Sequence, residues 1–239
     1  MGFFIFLIAL LVCMIFSLIA SAKVKGAFNK NNKKICHSGK TGAETAEFLM
    51  RANGVYDIGI GKTNGTLTDH YHPAKKVVNL SQSTYGSNSV AAVAVAAHEI
   101  GHVMQKKDGY WLYNLRTAVV PVANFGSFLA MPLVLIGFLL EYVLAVVDPG
   151  VGFYLAMIGV ALYGASFLFA LVTLPVELDA SRRAKQMLIQ THILQESELP
   201  AAREVLSAAA LTYLASLLTS LVYFLRFLFY VLAIFGRRD

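Results

Sequence analysis

The sequence predicts a multi-pass α-helical membrane protein with a small cytoplasmic α+β layer, one helix of which carries His-Glu-x-x-His. Three observations lead there. First, 57% of the 239 residues are hydrophobic and only 14% are charged, whereas a soluble domain carries about 25% charged residues. Second, four apolar runs reach the roughly 20 residues that a helix needs to cross a bilayer. Third, the stretch between the first two runs holds 13 of the 20 basic residues and turns to short, polar segments. The net charge of +6 then belongs to the basic loops of a membrane protein and calls for no nucleic acid partner. Cys13 lies in an apolar run and Cys36 in a basic loop, so no disulfide framework is expected.

Residues 1–22 form the first element, a transmembrane anchor. Phe3 to Ala22 is free of charge, and Lys23 and Lys25 follow at once. Ala20-Ser21-Ala22 has the small residues of a secretory cleavage site, but no positive charge precedes the apolar part, which favours an uncleaved anchor. Residues 23–117 form the α+β region. Within it Thr41 to Asn53 has helical spacing, with Ala43, Ala46 and Leu49 or Met50 on one side and Gly54 as a stop. Tyr56 to Ile60 and Lys76 to Leu80 read as short strands, the second a candidate edge for pairing with an extended peptide. Ser89 to Lys107 reads as an Ala-rich helix, capped by Ser87 or Ser89, with Lys106 and Lys107 at its negative end.

Residues 118–176 read as a transmembrane helical hairpin. Its arms are Ala118 to Val147, with one charge at Glu141, and Val151 to Val176; the turn formers Asp148-Pro149-Gly150 separate them. Residues 177–207 return to a charged, cytoplasmic helix, and residues 208–239 hold a last apolar helix, Ala208 to Phe235, and a tail. With four spans, residues 23–117 and 177–207 share one side, and their basic residues make that side the cytoplasm. Arg237 and Arg238 would then lie outside. Arg226 interrupts the last run, and a mid-membrane charge costs at least about 2.5 kcal/mol. That run is therefore expected to tilt, to re-enter, or to meet a wet cavity.

The chemistry is concentrated in Ala96-Ala97-His98-Glu99-Ile100-Gly101-His102. Four residues make just over one helical turn, so His98 and His102 leave one face and can share a metal ion. Glu99 lies about 100° around the helix, where it can reach a water on that metal without being a ligand. Two histidines and a glutamate at this spacing arise by chance in about one such chain in a hundred. A hydrolytic zinc site needs a third protein ligand and an open position. His37, His70, His72, His192, Glu141, Asp148, Glu177 and Asp179 are the candidates. Glu177 is best placed, because it directly follows the third apolar run. The Asp69-His70-Tyr71-His72 cluster is read first as a turn, with Asp69 and Pro73 as turn formers, and second as a source of an oxyanion donor or of His72 as a ligand. Arg182 and Arg183 are read first as an interfacial pair, and second as groups that bind a substrate carboxylate or support Glu177.

The chain resembles the bacterial membrane zinc metallopeptidase family known as YugP-like. The resemblance runs nearly end to end, through Thr41-Gly42-Ala43-Glu44, Gly65 to Pro73, Ala92 to Gln105, Val120-Pro121-Val122-Ala123-Asn124, and Leu174 to Ala184. It implies a zinc-dependent peptidase. More distantly the chain is similar to the HtpX and CaaX-protease group, in which a glutamate near an exiting transmembrane helix is the third ligand; that role falls on Glu177. The distant group reads Glu-x-x-Ala-Asp, whereas Ser181 stands here in place of the aspartate, with Asp179 as a substitute partner for a histidine.

The expected function is a membrane-embedded zinc endopeptidase with one zinc ion per chain. His98, His102 and Glu177 hold the metal, and Glu99 is the catalytic base. Its partners are the lipid bilayer and a protein or peptide substrate, membrane proteins included, and its active site faces the cytoplasm. The alternatives are a non-catalytic metal-binding membrane protein, and a transporter component prompted by Glu141 and Arg226. No G-x-S-x-G elbow and no phosphate-binding P-loop occur.

Overall fold

A computed structural model of the chain describes residues 2–144 and 150–235. The expected turn residues Asp148 and Pro149, and the terminal Arg237 and Arg238, lie outside the described residues. Among the described residues seven α-helices and three strands follow in order: α1 Gly2–Asn31, α2 Gly42–Ala52, β1 Gly59–Thr63, β2 His70–His72, β3 Val77–Ser81, α3 Gln82–Tyr85, α4 Val90–Lys107, α5 Trp111–Phe138, α6 Val151–Gln190 and α7 Leu199–Phe235. Helices α1, α5, α6 and α7 are each long and apolar enough to cross a membrane. Two of them outrun their apolar stretches: α1 continues unbroken through Ala20 to Ala22 as far as Asn31, and α6 carries its helix on through Glu177 to Gln190. The last apolar run belongs to one continuous helix.

The chain divides into two compact units. One gathers Met1–Ser17, Asn114–Leu174 and Tyr213–Asp239. Here α5 and α6 approach so closely that a Cβ built on Gly126 would meet the Leu162 carbonyl oxygen at 2.4 Å, and one on Gly159 the Ala130 carbonyl oxygen at 2.7 Å. Small residues at such crossings let helix backbones meet where lipid supplies no hydrophobic drive. Helix α5 ends in a π-helical turn, Leu139–Val143. From that turn the Glu141 carboxylate accepts the backbone N–H of Phe153 at 3.2 Å, in the first turn of α6, where the helix dipole favours an anion. Glu141 thus caps a helix. Arg226 lies over the rings of Phe6 and Tyr230, 5.0 and 5.9 Å from their centroids, a placement that offsets part of the cost of a cation among apolar side chains.

The other unit gathers Leu18–Tyr113 and Pro175–Thr212. Thr41 begins α2 with a capping box: its hydroxyl accepts the Glu44 N–H at 3.2 Å, and the Glu44 carboxylate accepts the Thr41 N–H at 2.8 Å. Ala46, Leu49 and Met50 are buried by this helix, and Gly54 leaves it in the left-handed region, φ +65°. The sheet has the order β1-β3-β2, with β1 parallel and β2 antiparallel to β3. Three of its features correct the reading from sequence. The first strand begins at Gly59 rather than Tyr56. A strand forms at His70–His72, so the turn begins only after it. The strand at Val77–Ser81 is paired on both sides and offers no free edge. Alternation along β3 buries Val78 and Leu80 in the same core as Leu49, Val93, Ala97 and Ile100. Ser89 caps α4 by accepting the Ala92 N–H at 3.1 Å. Ala91, Ala92, Ala94, Ala96 and Ala97 are fully buried along α4. Small side chains on every face let this helix run through the middle of the unit.

Candidate metal centre

The regular rise of α4 sets His98 and His102 one turn apart, with ring centroids 4.8 Å from each other. Against them α6 brings Glu177, whose Oε2 lies 3.1 Å from His98 Nε2 and 3.4 Å from His102 Nε2. Among the described residues these three form the group of metal-ligating side chains whose donor atoms all fall within 4.8 Å of one another. His37, His70, His72, His192 and Asp179 join no such group, and Asp148 lies outside the described residues.

What allows this meeting is Gly101. A Cβ built there would stand 2.5 Å from the Ala180 carbonyl oxygen and 3.1 Å from its Cα. The backbones of α4 and α6 therefore touch between the two histidines and the stretch from Glu177 to Ser181. The closeness of Glu177 is a consequence of that crossing, which no local pattern announces.

Each histidine is held from its far side. Ser181 Oγ lies 3.1 Å from His98 Nδ1, so the residue standing in place of an aspartate contacts the histidine itself. Asp179 reaches the other histidine only through Gln105. The Gln105 Oε1 lies 3.0 Å from His102 Nδ1, and its Nε2 donates to Asp179 Oδ2 at 3.0 Å and to the Val176 carbonyl at 2.8 Å. Reading the sequence missed Gln105, although its position three residues after His102, on the same helical face, was an available signal. Arg182 and Arg183 both donate to Asp179, and Arg183 also to Asp108 at the end of α4. Arg182 pairs within α6, while Arg183 ties α6 to the end of α4, a role beyond the interfacial one expected first.

Glu99 is buried, 6% exposed. Burial pushes its carboxyl up to about 7; the His98 side chain opposes this, the charges of Glu177 and Asp69 add to it, and a hydrogen bond from the Tyr71 backbone lowers it. The Asp69 to His72 segment therefore lies beside Glu99, yet the side chains of Asp69, His70 and His72 are engaged elsewhere. His70 Nδ1 lies 2.9 Å from the Thr68 carbonyl and its Nε2 3.1 Å from Asn79 Nδ2. His72 Nδ1 accepts the Lys75 N–H at 3.3 Å, and Asp69 accepts from the Ser81 N–H and hydroxyl.

The donor set fits a zinc ion. Two imidazoles and a carboxylate are its usual ligands in hydrolytic sites. Both imidazoles turn Nε2 toward Glu177 and have their Nδ1 atoms engaged elsewhere. Two carboxylates, Glu99 and Glu177, are buried in one cluster, and such charge is costly unless a cation balances it.

Comparison with known proteins agrees with this chemistry. Residues 6–232 match a family described as "putative neutral zinc metallopeptidase". The chain is 42% identical over 208 residues to the "Putative membrane protease YugP" of Bacillus subtilis (strain 168), covering 87% of this chain and 88% of that protein. No solved structure matches the chain significantly. Four long apolar helices and a membrane-protease relative make this a membrane protein, and the chain belongs to the putative neutral zinc metallopeptidase family.

Proposed function

We propose that the protein is a zinc-dependent endopeptidase whose active site faces the cytoplasm, with one zinc ion held by His98, His102 and Glu177 and with Glu99 as general base. The observation that carries this reading is the convergence of the two Nε2 atoms and one carboxylate oxygen within 4.8 Å, next to a second buried carboxylate. When bound, zinc supplies Lewis acidity, polarising a carbonyl and acidifying water.

The chain's own groups do the rest. Glu99 takes a proton from the attacking water onto a carboxylate oxygen and returns it to the nitrogen of the leaving amine, so it ends the cycle as it began. Its burial raises its basicity and excludes competing solvent. Glu99 is adjacent to a ligand without joining the ligand group, which is where a base belongs and where a purely metal-storing site has no need of a carboxylate. The basic residues of 23–117 and 177–207 support the cytoplasmic orientation. Membrane proteins and their exposed tails are then the accessible substrates.

The test is zinc content and peptide hydrolysis of the purified full chain and of His98→Ala, Glu99→Gln and Glu177→Ala. One zinc per chain is expected for the parent and for Glu99→Gln, with hydrolysis reduced 10²- to 10⁴-fold or more in the latter. Zinc is expected to fall in the other two variants. Full occupancy in Glu177→Ala, or parental hydrolysis by Glu99→Gln, would refute the assignment.

A further inference from the structure

The two imidazoles are held by unlike chemistry. A serine hydroxyl can donate or accept by turning about its own bond, so the Ser181 contact suits either tautomer of His98. Gln105 has no such freedom. It is fully buried, and its amide nitrogen sits 2.8 Å from the Val176 carbonyl and 3.0 Å from Asp179 Oδ2. A carbonyl oxygen only accepts. Asp179 is itself the acceptor for donors on Arg182 and Arg183, so it too is an acceptor here. Turning the amide over would face its oxygen with two acceptors and strand two buried groups.

The amide oxygen is therefore committed to His102, 3.0 Å from Nδ1. An amide oxygen also only accepts, so the proton in that contact must come from His102. Glu177 competes for it from the opposite side of the ring, since its Oε2 lies 3.4 Å from His102 Nε2. Without Gln105, a neutral His102 would turn its only N–H toward Glu177, and the lone pair needed by a metal would point away from the site.

We propose that Gln105 is a positioning residue which, locked in one orientation by Asp179 and the Val176 carbonyl, keeps a proton on His102 Nδ1 and leaves Nε2 to the metal. Asp179 acts through it at one remove, and Arg183 ties Asp179 in turn to Asp108 at the end of α4. The carboxylate that Ser181 does not bring to His98 is thus spent on His102 through an amide. The consequence for metal binding rests on the zinc reading above; the tautomer belongs to the metal-free protein.

The experiment pairs zinc affinity, by chelator competition, with side-chain ¹⁵N spectra of the metal-free, histidine-labelled full chain. The spectra are taken at a pH where the imidazoles are neutral, and His102 is assigned by its absence in His102→Gln. The parent is expected to show His102 protonated at Nδ1. Gln105→Met, close in volume but without hydrogen bonds, is expected to move the proton to Nε2 and to weaken zinc binding ten- to a hundredfold. The double variant Gln105→Glu with Asp179→Asn restores an acceptor to His102 and a donor from position 179, at the loss of the Val176 bond, and should recover the Nδ1 proton and part of the affinity. Parental tautomer or parental affinity in Gln105→Met overturns the proposal. If Gln105→Met fails to fold, the double variant decides alone, and an Nε2 proton there overturns it. A parent that shows the Nδ1 tautomer but takes up no zinc would sink the zinc reading and leave this hydrogen-bond assignment standing.

Discussion

Replacing Gly101 with alanine adds one methyl group where two helices touch. The new Cβ would lie 2.5 Å from the Ala180 carbonyl oxygen, and ordinary contact begins at 3.4 Å, so α4 and α6 must part there by about 0.9 Å. The opposing atoms are helix backbone and cannot rotate aside. Overpacking of this kind costs about 1–3 kcal/mol of stability. The displacement also reaches the candidate metal centre, because Ala180 lies between Glu177 and Ser181, which touch the imidazoles from α6. Metal sites hold their ligand distances within about 0.2 Å, so a shift several times larger should loosen the contact of Glu177 with the imidazoles. Gly101→Ala is therefore expected to unfold at lower temperature without metal and, separately, to bind zinc at least about tenfold more weakly, comparable to the loss of an orienting partner. The assay is thermal unfolding of the metal-free protein in detergent, followed by chelator competition well below the melting temperature. Parental zinc affinity together with parental stability would refute the helix-crossing account of how the site is assembled.

Two further outcomes are expected. Glu99 is buried with its carboxyl raised from 4.5 to about 7, so the folded, metal-free protein binds this proton more tightly than the unfolded chain. Stability from this group is then fully present below pH about 4.5 and is lost as pH rises through about 7, by roughly 3 kcal/mol at 1.36 kcal/mol per unit. Unfolding free energies of the metal-free parent and of Glu99→Gln should run parallel in acid, draw apart between pH about 4.5 and about 7 as the parent loses stability, and keep that gap above; a constant offset across the window would contradict the burial argument. Glu141→Gln removes the charge at the start of α6 but keeps an acceptor for the Phe153 N–H, and should cost about 0.3–1 kcal/mol, while zinc content and hydrolysis stay at parental levels. Hydrolysis lost with zinc retained would give Glu141 a part in turnover.

Much of this molecule was legible because its signals are local. The deficit of charge and the long apolar stretches anticipate four helices long enough to cross a membrane, since a backbone in lipid must satisfy its own hydrogen bonds. Caps are equally local. Thr41 and Glu44 lie three residues apart and bond each other, and Ser89 serves the amide three residues on. The geometry of His98 and His102 follows from helical pitch alone. Segments without a strong period were harder. The three residues of β2 hold their strand form by pairing with β3, and β3 became the central strand only because partners arrived on both sides.

By itself, then, the amino-acid order determined the helices, their caps, and the pair of imidazoles on one face of α4, each of which depends on neighbours within about one turn. Tertiary structure decided which carboxylate faces those imidazoles, that Gly101 is the point of closest approach, and that Gln105 rather than Asp179 touches His102. The reason is physical. Periodicity tells a residue which side of its own helix it occupies, but a contact between residues 98 and 177 depends on where two helices cross, and that is settled by the packing of every side chain between them.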